Sequence, residues 1–587
     1  MENEEIDVNK AFDKAEKIGV IGSPSSTNRL TIDILGTAMN KKLVGTLCVF
    51  KHMQDGREHF SLGQITEIQL KNVWSEDPTM RGLIRQKGRV DPITEKQDTH
   101  TASMIVSSVF SKADSVMGQS ILGTVPSTGS PIKLINNDIM KGLLVNHQNE
   151  LSYLGRAYGS DILMPMWFKH FGKETGGVGE AYHIGIFGKT GSGKSVFAKM
   201  AMLGYARHPS MSMFIIDPQG EFAKEIKRDT KLKGILEKKL HREVKIYDLH
   251  NLVMTGWELF KKTLVNSEFF DKLTIWEEIK PRAAEVVVNI LRAKMGGQAQ
   301  LGQHTEIPPY KAFEQAAFDR VWNALSRDDI WTKIYYAKDS RERVQLQYAD
   351  ANKDEFFEIW KQVANLFKYE GRSGVKKIID LVNEVVSKEN EENRPITIID
   401  LSESEIPDDI LWNENISFVV IKELLDKLKS EAEKEFKKER NLNCLVVIDE
   451  AHRLAPRERK ENENLEVLKA TFIDAVRTTR KFGLGWMFIS QTLSSLDRGI
   501  VEQLRAYVFG FGLGWGIELQ ALKELIGGNR DAISLYQLFN DPQSSFGEKQ
   551  YPFMMVGPLS PLSFSSIPLF VTALNFPDEF LSINFSE

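Results

Sequence analysis

One glycine-rich segment constrains the fold of this chain more than any other feature. It reads Gly188-Lys189-Thr190-Gly191-Ser192-Gly193-Lys194-Ser195 and fits the pattern G-x-x-x-x-G-K-[ST]. An apolar run, Tyr182–Phe187, precedes it, and a helical pattern, Val196–Tyr205, follows it. A strand, a glycine loop and a helix in this order wrap backbone N–H groups around an anion at the helix N-terminus. The alternative is a chance glycine turn, but the flanking strand and helix favour a phosphate-binding loop.

The side chains of this loop have expected roles in nucleotide binding. Lys194 is expected to neutralise the β- and γ-phosphates, and Ser195 is expected to coordinate Mg²⁺. The residues expected to contact the nucleotide are Gly188, Lys189, Thr190, Gly191, Ser192, Gly193, Lys194, Ser195 and Val196.

Two carboxylates follow a second buried run. Leu445–Ile448 is wholly apolar, and Asp449 and Glu450 come directly after it. Because α/β sheets bind their ligands at the carboxyl ends of strands, Asp449 is expected to hold Mg²⁺ and Glu450 to polarise the attacking water. In isolation, a strand that ends in an acidic turn explains the pattern equally well. Together with the phosphate loop, the pattern favours a hydrolase.

Polar residues near the next apolar run complete the predicted catalytic set. Gln491 ends the run Gly485–Ser490 and is expected to sense the γ-phosphate, while Arg477 and Arg480 close the preceding helical segment. A guanidinium near the γ-phosphate stabilises the charge of the transition state; the alternative for either arginine is a solvated helix face. The predicted catalytic residues are Lys194, Glu450, Arg480 and Gln491.

A basic stretch lies shortly after Glu450. Its members are Arg453, Arg457, Arg459 and Lys460. Beside an ATPase centre such residues can contact the phosphate backbone of a nucleic acid. The more common interpretation of such a run is a solvated surface, and both interpretations stay open at this point.

The pattern along the chain changes twice. Short runs of β-forming residues separated by turns occupy the first 150 residues, as is typical of a small barrel or sandwich. From residue 181 strand and helix alternate, which predicts a parallel sheet with helices on both faces, and a charged helical stretch interrupts this alternation. The predicted units are a β-barrel at 1–150, the first part of a core at 151–254, a helical insertion at 255–390 and the second part of the core at 391–587.

Composition excludes several classes of protein. The chain of 587 residues is too long for a single core, and its net charge of −5 argues against coating nucleic acid by charge alone. Two cysteines, Cys48 and Cys444, fit a reducing compartment, and no structural zinc site is expected. No apolar run approaches the ~18 residues of a membrane helix. We therefore expect a cytoplasmic protein without a membrane span.

Several segments together resemble the HerA-type ATPases of the HerA–FtsK group of P-loop motors. These segments are His183–Ser195, Ile216–Phe222, Ile448–Arg453, and Arg480–Gly483 ahead of Gln491. Leu62–Ile68 is similar to part of the HAS barrel that precedes this ATPase. The resemblance implies an α/β fold, with a RecA-like P-loop ATPase core that carries a helical insertion and follows a small N-terminal β-barrel.

The resemblance also implies a function. It implies a homohexameric ring that uses ATP and Mg²⁺ and translocates DNA through a central channel, together with a nuclease or another effector. The alternative is an ATPase scaffold that assembles and regulates an anti-phage effector, a nuclease or a sirtuin-like NAD-consuming enzyme, without moving DNA. The chain has no nuclease or NADase motif of its own, so either activity would belong to a partner.

The arginine that acts on a neighbouring subunit is not assigned by the resemblance. Arg480 matches the arginine of the family's R-K-[FY]-G stretch. However, Ala181-Tyr182-His183 stands where some relatives have an arginine, and Gln491-Thr492-Leu493 replaces the family's frequent Gln-Arg-Pro.

Overall fold

The computed structural model describes residues 7–87, 98–113, 116–228, 230–293, 306–371, 374–387, 393–402, 406–544, 546–563 and 567–585. Within these residues, no helix is both long enough and apolar enough to cross a bilayer.

The N-terminal unit is a closed β-barrel, as predicted. Its elements are α1 (Val8–Lys14), β1 (Lys17–Ile21), β2 (Leu30–Ile34), β3 (Leu47–Gln54), β4 (Arg57–Asn72), α2 (Val73–Glu76), α3 (Pro78–Lys87), β5 (Asp98–Ala113), β6 (Val116–Ser120), β7 (Pro131–Leu134) and α4 (Asn137–Leu143). The ring runs β2-β1-β7-β3-β4-β5, and β5 pairs back onto β2. Alternating side chains such as Cys48 and Phe50 fill its interior, because successive residues of a strand point to opposite faces.

The core begins with two strands that follow the barrel and continues through the phosphate loop. Its first elements are β8 (Ser152–Ala157), β9 (Leu163–Met166), β10 (Ile184–Phe187), α5 (Lys194–Ala206), β11 (Ser212–Asp217), α6 (Glu221–Arg228), α7 (Thr230–Gly234), β12 (Val244–Tyr247) and β13 (Leu252–Val253). A helical insertion follows, with α8 (Trp257–Val265), α9 (Phe269–Lys272), α10 (Lys280–Leu291), α11 (Gln315–Leu325), α12 (Asp328–Ile334), α13 (Lys338–Ala349), α14 (Lys353–Asn365), β14 (Lys376–Lys377) and α15 (Ile378–Val386).

The second half of the core returns to the same sheet. It consists of β15 (Ile396–Asp400), α16 (Glu414–Lys437), β16 (Cys444–Ile448), α17 (Ala451–Leu454), α18 (Glu463–Thr479), β17 (Leu484–Ser490), α19 (Arg498–Val501), β18 (Ala506–Gly510), α20 (Gly516–Leu525), α21 (Arg530–Gln537), β19 (Pro552–Val556), β20 (Leu569–Ala573) and α22 (Asp578–Phe585). In the described part of the chain the sheet order is β12-β15-β11-β16-β17-β10-β18-β19-β20-β8-β9. The strands from β12 to β18 are parallel, so their carboxyl ends share one edge.

Helices cover both faces of this sheet. Val446 and Ile448 of β16 pack into a core shared with α16, α18 and the helical insertion, whereas Leu445 and Val447 pack into a second core with α5 and the outer face of the barrel. Because both faces are buried, β16 is apolar at every position, which explains the uninterrupted run in the sequence.

The barrel is attached to the core by buried polar contacts. Gln64 donates from Nε2 to the carbonyls of Gly45 and Phe570, at 2.8 and 2.9 Å, and its Oε1 accepts from the Phe570 amide at 2.8 Å. Arg29 of β2 also lies 2.9 Å from Asp531 of α21. These contacts fix the barrel against β20 of the sheet and against α21.

A buried histidine makes the stability of the core depend on pH. His183 is 1% exposed; its Nδ1 accepts from the Trp486 amide at 3.2 Å, and its Nε2 donates to the Val476 carbonyl at 3.0 Å. Burial lowers the pKa of His183 to about 4. The folded chain therefore keeps the neutral imidazole at a pH where the unfolded chain is already protonated.

We expect the fold to lose stability as the pH falls from about 6.5 to about 4. The pKa of His183 is lower in the folded chain than in the unfolded chain. Its contribution to the free energy of unfolding is therefore fully present above pH ~6.5, and at most about 3 kcal/mol is lost on acidification. Urea unfolding at several pH values measures this. His183→Gln should flatten the dependence, whereas His250→Gln, at an exposed position, should not. Equal pH dependence in both variants would contradict the assignment.

Candidate nucleotide-binding and hydrolysis site

The glycine loop connects β10 to α5 at the carboxyl edge of the sheet. Gly191 and Gly193 have φ angles of +82° and +87°, which side chains with a Cβ rarely adopt. Lys194, the first residue of α5, is buried and donates from Nζ to the Lys189 carbonyl at 3.3 Å. Burial lowers its pKa, an effect that the nearby carboxylates of Glu450 and Asp449 oppose. The Lys194 side chain therefore lies against the main chain of the predicted phosphate loop.

The two predicted carboxylates lie at the end of β16, beside this loop. Asp449 is 3% exposed and Glu450 is 8% exposed. Burial, together with the neighbouring carboxylates of Glu450, Asp217 and Glu221, raises the pKa of Asp449 to about 7. Glu450 has left-handed backbone angles, φ 48° and ψ 41°, a conformation that costs a non-glycine residue about 1–2 kcal/mol. Backbone strain of this kind is concentrated at functional sites.

Gln491 connects the phosphate loop to the second carboxylate. Its Nε2 donates to Oε1 of Glu450 at 2.8 Å, and its Oε1 accepts from the Thr190 hydroxyl at 3.2 Å. Because β17 lies between β10 and β16 in the sheet, the end of β17 is adjacent to both motifs. The structure therefore brings together Thr190, Lys194, Asp449, Glu450 and Gln491.

The family of the central segment is identified by comparison with known proteins. Residues 181–411 match the family described as the central domain of helicase HerA. This segment contains the phosphate loop and the helical insertion and ends before the strand that carries Asp449. This central segment is therefore similar to the HerA central domain. No curated protein matches the chain.

Solved structures are also similar to this chain. VirB4 of Thermoanaerobacter pseudethanolicus is 14% identical over 73% of this chain and 97% of its own, with a TM-score of 0.37. The bacterial conjugative coupling protein TrwBΔN70 is 12% identical over 67% and 84%, with a TM-score of 0.36. The genome packaging NTPase B204 of Sulfolobus turreted icosahedral virus 2, in complex with AMPPCP, is 10% identical over 67% and 98%, with a TM-score of 0.27.

The residues at this site include oxygen donors of the kind that a magnesium ion prefers. Ser195 and Asp449 offer oxygen ligands, and Oε2 of Glu450 is buried, without a hydrogen bond but 3.3 Å from Nδ1 of His452. Among the described residues no three acidic, histidine or cysteine side chains form a metal site by themselves. Proteins hold Mg²⁺ through one or two side chains together with nucleotide phosphates and water. Ser195 and Asp449 would hold the ion, and a bound ion would neutralise charge on the phosphates.

Arg480 does not lie with the other predicted catalytic residues. It follows α18 at the amino end of β17, whereas Gln491 follows the carboxyl end, roughly 20 Å away along the strand. Its Nη2 lies 2.9 Å from Oε2 of Glu180, and its side chain is 53% exposed. Within one chain, Arg480 therefore faces solvent at the edge of the sheet opposite the phosphate loop.

The basic stretch is exposed and attached to the loop that follows Gln491. The Arg457 amide donates to the Ser495 carbonyl at 2.7 Å, and Pro456 forms a β-bridge with Leu496. Arg453 lines a groove of about 540 Å³ that also includes Glu450 and Gln219. The stretch is thus connected to the hydrolysis site through backbone contacts.

Three acidic residues of the site were not predicted. Glu221 accepts from the Ser195 hydroxyl at 3.3 Å, and Asp217 accepts from the amides of Glu221 and Ala223 at the start of α6. Glu518, 8% exposed, accepts from the Leu493 amide at 2.9 Å and so holds the loop after Gln491. Glu221 and Asp217 belong to Ile216–Phe222, a segment that carries the family resemblance, so that signal was present. No local pattern marks Glu518.

Proposed function

We propose that this protein is an ATP-hydrolysing ring motor that translocates DNA and works with a separate effector such as a nuclease. The observation that carries the proposal is the hydrogen-bonded series from Thr190 through Gln491 to Glu450. It joins a phosphate loop to a candidate general base, and the loop after Gln491 is bonded to an exposed basic stretch. A structural change caused by the γ-phosphate can therefore be transmitted to the basic stretch, whose side chains can contact the phosphate backbone of DNA.

In the proposed reaction, the chain supplies binding, orientation and a base. The loop amides and Lys194 bind the phosphates, with Ser195 and Asp449 as the proposed ligands of Mg²⁺. Glu450 accepts a proton from the attacking water, and Gln491 orients Glu450. We also propose that ATP lies between the subunits of a homohexamer. An exposed arginine remote from its own site, such as Arg480, fits a role toward a neighbouring subunit.

A scaffold function is the second candidate. The contacts of Gln64 and Arg29 fix the barrel to the core. Arg29 contacts α21, and the other end of α21 lies near the phosphate loop. There the Tyr536 hydroxyl donates to the Gly510 carbonyl at 2.6 Å, and the Phe511 carbonyl accepts from the Lys189 amide at 3.0 Å. A partner bound to the barrel would then sense the nucleotide without DNA movement.

ATP hydrolysis by the purified chain, with and without DNA, distinguishes the two functions. If the protein is a motor, DNA should raise its rate of ATP hydrolysis several-fold, and this stimulation should weaken as the salt concentration rises. The protein should also have the mass of a ring in solution. A ring whose hydrolysis ignores DNA would support the scaffold. A chain that neither binds nor hydrolyses ATP would contradict both.

Replacement of Arg457, Arg459 and Lys460 by alanine is expected to weaken DNA binding while basal ATP hydrolysis continues. The slope of log affinity against log salt is negative, and each phosphate that the variant no longer neutralises should reduce its magnitude by roughly one. A matched control removes three exposed cations, Lys434, Lys438 and Arg440, before the amino end of β16. If both triple variants bind DNA with the parent affinity and slope, the basic stretch is only a solvated surface.

A further inference from the structure

The direction of a bound nucleotide follows from the order of the strands. Glu450 and Gln491 lie on the β16–β17 side of the phosphate loop, so the γ-phosphate of a nucleotide points to that side. The nucleoside must then lie on the opposite side of the loop, toward β18 and β19. This step rests on the proposed function, since it assumes that Glu450 and Gln491 act at the γ-phosphate.

Two side chains meet the phosphate loop from the β18–β19 side. β19 is antiparallel to β18, so its amino end, immediately after Tyr551, lies at the same edge as the phosphate loop. A methyl group added to Gly193 would lie 2.6 Å from Cδ1 of Tyr551, so the ring packs directly on that glycine. A methyl group added to Gly191 would clash with the side-chain amide of Gln543. Both side chains thus border the loop where the nucleoside is expected.

In the part of the chain that the structure describes, the polar group of each side chain is unused, although the Tyr551 ring is partly buried and also packs against the second core. In the described ranges, neither the amide of Gln543 nor the hydroxyl of Tyr551 has a hydrogen-bond partner, and Gln543 is exposed. The backbone that carries Gln543 is nevertheless ordered by local contacts. Oδ1 of Asp541 accepts from the Gln543 amide N–H at 2.9 Å, and Oδ2 accepts from the Ser544 hydroxyl at 3.2 Å. A positioned residue with an unused amide is suited to recognise a ligand.

We propose that Gln543 and Tyr551 form the nucleoside subsite, in which the Tyr551 ring packs against the nucleoside and the Gln543 amide hydrogen-bonds to the base. An amide both donates and accepts, so it can pair with N6 and N7 of adenine, whereas N7 and O6 of guanine both accept and leave the amide oxygen unpaired. An aromatic ring packs on any base, whereas the amide distinguishes among bases. Tyr551 therefore contributes affinity, and Gln543 contributes selectivity for adenine over guanine.

The test compares ATP with inorganic tripolyphosphate, which lacks a nucleoside. Tyr551→Ala is expected to weaken ATP binding about 5- to 100-fold and to leave tripolyphosphate binding unchanged, while Tyr551→Phe keeps the parent affinity. Gln543→Ala should reduce the preference for ATP over GTP. Matched controls are Tyr336→Ala, at an exposed position in the helical insertion, and Gln520→Ala, whose amide bonds to Glu524 on α20.

The outcomes separate this proposal from the function on which it rests. Lys194→Ala should weaken the binding of both ATP and tripolyphosphate, because it removes a phosphate contact. If the parent chain binds neither ligand, the proposed function fails. If the parent binds ATP, but Tyr551→Ala and Gln543→Ala bind ATP and GTP as the parent does, only the nucleoside subsite is overturned. Loss of tripolyphosphate binding in Tyr551→Ala would also overturn it, since the ring would then only support the loop.

Discussion

A chain with Glu450→Gln is expected to bind ATP with the parent affinity and to lose 10²- to 10⁴-fold in turnover. Removal of a general base costs a factor of this size, because an amide cannot accept the proton of the attacking water. The substitution keeps the size of the side chain and removes one carboxylate from a buried site where Asp449 already has a raised pKa. Binding of a labelled ATP analogue and single-turnover hydrolysis measure the two quantities separately.

Glu458→Gln is a matched control for this variant. Glu458 has a side chain that is 86% exposed and lies eight positions along the chain, so the same chemical change there should leave turnover unchanged. Hydrolysis by Glu450→Gln at the parent rate would show that Glu450 is not the base. Loss of ATP binding in Glu450→Gln would instead indicate a role in holding the site together.

Much of the nucleotide site was predictable, because short segments determine its conformation. The loop Gly188–Ser195 requires positive φ angles that glycine supplies, and Leu445–Ile448 is apolar because both faces of β16 are buried. The adjacency of Asp449, Glu450 and Gln491 then follows from the shared edge of parallel strands. Periodicity and turn residues also predicted the barrel and the helical insertion, as the structure confirms for the fold class.

Other features depend on contacts that are distant in the sequence. Glu518 reaches the loop after Gln491 from a helix that begins 25 residues after it, and Gln64 joins Phe570 across 506 positions. Arg480 lies near Gln491 in the sequence but at the opposite end of β17, because a strand separates them. No local pattern carries these distances, so only the folded chain reveals them.

The contacts of two buried arginines at the amino edge of the sheet also could not be predicted from local sequence patterns. Arg242 and Arg394 are each 1% exposed. The guanidinium of Arg242 donates to the carbonyls of Ala206, His208 and Arg394, at 3.0, 2.7 and 2.7 Å, and also to Met211 at 2.5 Å. Ala206 is the last residue of α5, so the charge lies at the negative end of the helix that begins at the phosphate loop. Burial, together with the charge of Arg394, lowers the pKa of Arg242 to about 10, which leaves it protonated at neutral pH.

Arg242→Ala is therefore expected to destabilise the core by about 4 kcal/mol or more. Each hydrogen bond from a charged donor contributes about 1.5–3 kcal/mol, and the substitution leaves four main-chain carbonyls without that donor. The stability of Arg242→Lys should lie between those of the parent and Arg242→Ala, since an ammonium keeps the charge but lacks the planar fork of donors.

Arg440→Ala, which removes an arginine with a side chain that is 56% exposed, should change the stability by less than about 0.5 kcal/mol. Urea unfolding followed by tryptophan fluorescence measures all three variants. Equal unfolding midpoints for Arg242→Ala and Arg440→Ala would mean that the buried guanidinium contributes nothing, and that the end of α5 is held by apolar packing alone.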